Sequence, residues 1–174
     1  MDTIVAPAVP RPIPVGAEMA ALARFYPDVS WSGRIVAGGM GPGAPAMRAE
    51  GYGRHELIQD GRWIVGTYAQ DQVLEDGTPV LTWQLHWVVG WDPAGQTYRA
   101  TLADNYGHAE VMCGRIDGDR LVFDTIGAPV PLRMTWDASD PAAITWVNEL
   151  RTPDGQWQLI ETYRMTPIGS MSPA

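Results

Sequence analysis

A chain of 174 residues with a formal charge of −8 has the length of one domain, and it would repel a polyanion rather than release counterions from it, so nucleic acid is excluded as a partner. All 12 basic residues are arginine. Without lysine there is no Schiff-base chemistry and no Walker phosphate loop, and the lone Cys113 can form neither an intrachain disulfide nor a CxxC redox pair.

The N-terminal residues 1–14 carry Pro7, Pro10, Pro12 and Pro14, which interrupt any apolar run before it reaches signal-peptide or membrane-spanning length. They read as a flexible arm on a cytoplasmic protein with no membrane association. From Gly16 to Phe25 the positions of Met19, Leu22 and Ala23 predict one short helix, stopped by Pro27. The segment Gly38–Pro45, GGMGPGAP, is a glycine-rich loop suited to lie over one mouth of a barrel. Beyond it turn signals recur: Asp60-Gly61, Asp76-Gly77, Asp92-Pro93, Asp117-Gly118, Gly127 to Pro129, Asp137 to Pro141 and Pro153-Asp154-Gly155. The stretches between them alternate apolar and polar at period two, which is the pattern of half-buried antiparallel strands. Consecutive hairpins with no crossover helix predict an all-β, antiparallel up-and-down barrel of about eight to ten strands, because closure removes exposed edges. The barrel domain is expected over 15–167, with 168–174 as a flexible tail.

Phasing each strand by its apolar set identifies the polar side chains carried inward with it. In the Met47–Leu57 stretch the inward set is Met47, Ala49, Gly51, Gly53, His55 and Leu57, and the two glycines are expected to leave empty volume beside His55. Trp83, Leu85, Trp87, Val89 and Trp91 share one face, with His86 on the other. Asp104 follows Tyr98, Ala100 and Leu102, with Tyr106 and His108 near a rim. Ile144, Trp146 and Leu150 bring Asn148 inward, and unbroken alternation from Trp157 through Leu159 to Tyr163 and Met165 brings Glu161.

Buried polar groups require partners, and an unpaired one costs about 1–3 kcal/mol. A ligand is one such partner. The alternative is that Glu161 pairs with an interior side chain and fixes strand register. The candidate set is therefore Glu161, His55, Tyr163 and Asp104 for acid–base chemistry, and Trp83, Trp87, Trp146, Trp157, Asn148, Gly51, Gly53 and Tyr106 for binding. No metal site is expected, since no two histidines have ligand spacing on one strand face.

The stretches Gly61-Arg62-Trp63-Ile64-Val65, Gly90-Trp91-Asp92-Pro93 leading to Tyr98, and Pro153-Asp154-Gly155-Gln156-Trp157 before a terminal Glu-Thr-Tyr-Arg strand resemble a bacterial family of uncharacterised lipocalin-like proteins. The resemblance covers about Phe25 to Met165 and implies a calycin-type barrel, a superfamily that includes lipocalins, fatty-acid-binding proteins and haem-binding nitrobindins. Trp31-Ser32-Gly33 reverses the lipocalin Gly-x-Trp order, and the family supplies no catalytic residues to transfer.

Two functions fit these residues. One is binding of a small, largely apolar molecule, aromatic or polyketide-like, in a tryptophan-lined cavity. The other is a cofactor-free cyclase, isomerase or lyase using Glu161, His55 and Tyr163 on such a molecule. Haem ligation is a third, weakened by the lack of a histidine on the closing strand. No cofactor is expected, and a homodimer is left open.

Overall fold

The computed structural model describes residue 12, residues 14–169 and residues 172–173. Most of the proline-rich arm, residues 1–11 and 13, lies outside the described residues. The chain runs through helix α1 (Ala17–Ala23) and strands β1 (Asp28–Ile35), β2 (Met47–Ile58), β3 (Trp63–Leu74), β4 (Pro79–Asp92), β5 (Thr97–Asp104), β6 (Ala109–Asp117), β7 (Arg120–Thr125), β8 (Leu132–Asp137), β9 (Ile144–Arg151), β10 (Trp157–Gly169) and β11 (Ser172–Pro173).

Strands β2 to β10 pair antiparallel in chain order, and β1 lies between β10 and β2, closing a barrel of ten strands. The hairpins fall where the glycine turns were expected, with Gly61, Gly77, Gly118 and Gly155 all at positive φ. Strand β10 continues two residues past 167, and β11 adds a short parallel pairing along β2. The helix is shorter than its periodicity suggested. After Ala23 the chain tightens, with Phe25 N–H donating to Leu22 O and Tyr26 N–H to Ala23 O, each at 3.1 Å.

One end of the barrel is filled. Met19 and Leu22 of α1 bury against it, and the Tyr98 hydroxyl donates to Glu18 O at 3.0 Å. Behind the helix Trp136 and Trp146 stack with centroids 5.8 Å apart and planes 5° from parallel. Trp87 meets Trp136 and, edge-on, Phe123. Trp87 and Trp146 thus point inward but belong to packed core.

Gly51 and Gly53 also face inward, yet they leave no void. A Cβ at Gly51 would lie 2.6 Å from the Trp31 ring, and one at Gly53 would lie 3.1 Å from the Tyr68 ring. The glycines are there so that two large rings can lie flat against β2.

Strand β10 departs from simple alternation. Leu159 pairs with Glu149 and Glu161 with Asn148, so Ile160 is an extra residue, a β-bulge. The phase reverses across it. Glu161, Tyr163 and Met165 are inward as expected, whereas Leu159 is 40% exposed and Trp157 lies on the outer face beneath the Arg133 guanidinium, 4.0 Å from its ring centroid. The inward placement of Trp157 is therefore corrected.

Candidate functional site

At the end of the barrel opposite α1 the interior opens into a cavity of about 440 Å³. Its apolar wall comes from Trp83, Leu102, Leu132, Met134, Leu150 and Ile160, and its polar wall from Gln70, Gln72, Asp104, His108, Glu110, Asn148 and Glu161. Gly39, Met40 and Gly41 of the glycine-rich loop cover part of the mouth. The loop is tethered by the bulge, since Val36 N–H donates to Ile160 O at 2.9 Å.

Glu161 stands at the centre of a one-directional chain of hydrogen bonds. Trp31 Nε1–H donates to Gln70 Oε1 (2.9 Å), Gln70 Nε2–H to the Tyr163 hydroxyl (3.2 Å), and Tyr163 O–H to Glu161 Oε2 (2.5 Å). Asn148 Nδ2–H donates to Glu161 Oε1. Burial raises the Glu161 pKa above that of a free glutamate, and the bonds from Tyr163 and Asn148 oppose the shift. Burial also raises the Tyr163 hydroxyl, reinforced by the adjacent carboxyl, so this phenol stays protonated as a donor. Glu161 pairs with interior side chains, as the register-fixing alternative required, and it also faces the cavity.

Asp104 forms the rim. Its carboxylate receives Trp83 Nε1–H at 3.1 Å, the backbone N–H groups of Tyr106 and His108 at 2.9 Å each, and contacts His108 Nδ1 at 2.9 Å. Burial pushes its pKa up, but these bonds outweigh it and hold the group below the usual carboxylate value. Asp104 is thus a fixed acceptor that orders the β5–β6 turn and orients Trp83. Tyr106 is not a wall residue: it is 52% exposed, with its hydroxyl on Thr82 O.

His55 is separate from the cavity. Its Nδ1 lies 2.7 Å from Pro27 O and its Nε2 2.8 Å from the Tyr68 hydroxyl, while its backbone N–H donates to Asp28 Oδ1. Because a carbonyl only accepts, Nδ1 carries the proton and Nε2 accepts from Tyr68. Burial depresses its pKa to about 4. It is a neutral clasp holding the α1–β1 junction to β2, and the pairing of His55 with Glu161 in one site is corrected: the glycines that were to open space beside it are covered by Trp31 and Tyr68.

Of the expected side chains, the cavity wall brings together Trp83, Asp104, Asn148 and Glu161, with Tyr163 hydrogen-bonded to the last. Gln70, Gln72 and Glu110 are additions. The first two follow from Ile64, Gly66 and Tyr68, whose inward phase along β3 carries Gln70 and Gln72 with it. Among the described residues no cluster of three or more His, Cys, Asp or Glu side chains has the geometry of a metal site, and no helix is long and apolar enough to cross a membrane. A second concavity, about 500 Å³ along Ile58, Trp63, Val88, Arg99 and Val111, is an open groove on the outer face.

No family model matches the chain, and no curated protein matches it. Among solved structures it is similar to the crystal structure of Rv2717c from M. tuberculosis, with 14% sequence identity and a TM-score of 0.57 over 88% of this chain and 99% of that one. At that identity the likeness concerns the barrel fold alone.

Proposed function

We propose that the protein binds a small, largely apolar molecule in the open end of the barrel. The observation that carries this reading is the coexistence, at one end of an otherwise packed barrel, of a concave apolar wall and a few fixed polar groups. The volume of about 440 Å³ lies within the range of about 300–1,000 Å³ usual for small-molecule sites. Trp83 and Met134 supply adaptable apolar surface, and Asn148 and Glu161 are held in place to orient what enters. The outer groove has no buried polar group to give orientation. The lipocalin-like resemblance in sequence points the same way.

Saturable binding tests this directly. Trp83 is the one tryptophan of the cavity wall, so a bound aromatic probe should quench a minor part of the total emission, and Trp83→Phe should abolish most of that change without abolishing binding. Absence of saturable binding across a broad panel of hydrophobic probes would refute the reading.

A catalytic reading is favoured by one observation, the raised pKa of a cavity-facing Glu161. On that reading Glu161 acts as acid or base with Tyr163 as its hydrogen-bond partner, and His55 takes no part.

A further inference from the structure

Polar atoms left without partners at a cavity wall specify the chemistry that would complete them. Asn148 is 2% exposed and Gln72 is 3% exposed, both line the cavity, and in each the side-chain oxygen has no hydrogen-bond partner. The direction of the Asn148 amide is set by its neighbour, since Nδ2 donates to Glu161 and Oδ1 is left as the unused atom. Glu161 receives only neutral donors, from Asn148 and Tyr163. Among the described residues no arginine lines the cavity wall, and the chain has no lysine. His108, the basic group among the described residues of the wall, is already engaged by Asp104.

We propose that the ligand is an amphipathic amine: an apolar body carrying a protonated nitrogen with at least one N–H, seated on the Glu161 carboxylate and the Asn148 side-chain oxygen. This rests on the cavity being a small-molecule site and adds the chemical class. An ammonium group has donors and no acceptor, which complements the Glu161 carboxylate and the unused Asn148 oxygen beside it, and its bond to a carboxylate is charge-assisted. A neutral alcohol brings a single donor and leaves the carboxyl without a cation. A carboxylate or phosphate ligand would meet Glu161, Asp104 and Glu110 with no arginine to offset them. The apolar body has Trp83, Leu132 and Met134 for surface.

Three probes with one body separate these cases: 1-naphthylmethylamine, 1-naphthylmethanol and 1-naphthoate, titrated calorimetrically into the full chain at neutral pH. The amine should bind about tenfold or more tighter than the alcohol, and the acid more weakly than either. Glu161→Gln should bring the amine to within about threefold of the alcohol when both are measured on that variant. Equal affinity of amine and alcohol for the unaltered protein, or preference for the acid, overturns the amine inference and leaves the apolar-ligand reading standing. Failure of all three to bind overturns the amine inference, and the same failure across a broad panel of hydrophobic probes overturns the apolar-ligand reading as well. The comparison on the unaltered chain decides the matter even if the variant folds poorly.

Discussion

His55 and Glu161 are both interior titratable groups that burial drives toward neutrality, one by lowering its pKa and the other by raising it. Their linkage to stability therefore has opposite sign. An unfolded histidine binds its proton near pH 6.5, while folded His55 does so only near pH 4, so between those values the unfolded chain holds more protons and stability falls as pH falls. The full shift corresponds to about 3 kcal/mol, a large part of the margin of an ordinary domain. Glu161 opposes part of that loss, because its raised pKa favours the folded state on acidification. Urea unfolding at pH 7, 5.5 and 4.5 should show a declining midpoint, and His55→Gln, less stable at pH 7, should show a flatter decline. For Glu161 the test concerns function. If the protein turns a substrate over, Glu161→Gln should lower kcat about a hundredfold or more with little change in affinity, whereas a change in affinity alone leaves binding as its role.

At the scale of elements the inserted Ile160 controls more than one residue. It reverses the phase of β10, so Trp157 faces outward while Glu161 remains inward, and its carbonyl is the anchor for Val36 at the base of the covering loop. The loop lies so close there that a Cβ at Gly39 would be 2.6 Å from Ile160 O. Gly39→Val should therefore lift the loop from the mouth, accelerate release of a bound probe severalfold in stopped-flow measurements, and cost about 1–3 kcal/mol of stability. Gly51→Ala should cost a comparable amount for a different reason, because the added methyl would press on the Trp31 ring and on Ala69 O at 2.5 Å. Thermal unfolding measures both. These same residues mark where the sequence was legible. Alternation and turn glycines suffice to identify strands, closure and the inward direction of Asn148 and Asp104. A bulge leaves period two intact on each side and becomes visible only in the pairing of β10 with β9, which is why Trp157 was expected inside. Whether an interior glycine makes space or admits a ring depends on what the next strand presents, here Trp31 from β1 and Tyr68 from β3. Likewise phase placed His55 inside, but phase carries no information about depth along the barrel axis, and depth separates it from Glu161.

For the whole molecule, the division between a packed end and an open end places the aromatic load. Stacked Trp136 and Trp146, with Trp87 and Phe123 against them, form a base from which the cavity rises, and only Trp83 reaches the cavity. Broad quenching of most of the tryptophan emission by a small probe would thus signal entry into the core or unfolding, rather than occupancy of the cavity. The position of β1 has a consequence for how the chain is made. It precedes every other strand of the barrel in chain order, yet one of its edges is covered only by β10, the last of the ten. Until β10 is available the growing chain presents two unpaired edges, on β1 and on β9, that can recruit other strands. Closure joins segments far apart in sequence and so carries a large loop-entropy cost, which favours slow folding. A chain cut before Trp157 should accordingly associate through those edges instead of persisting as a shortened barrel, and light scattering during refolding of that fragment, beside the full chain, would measure how far the final strand protects every strand made before it.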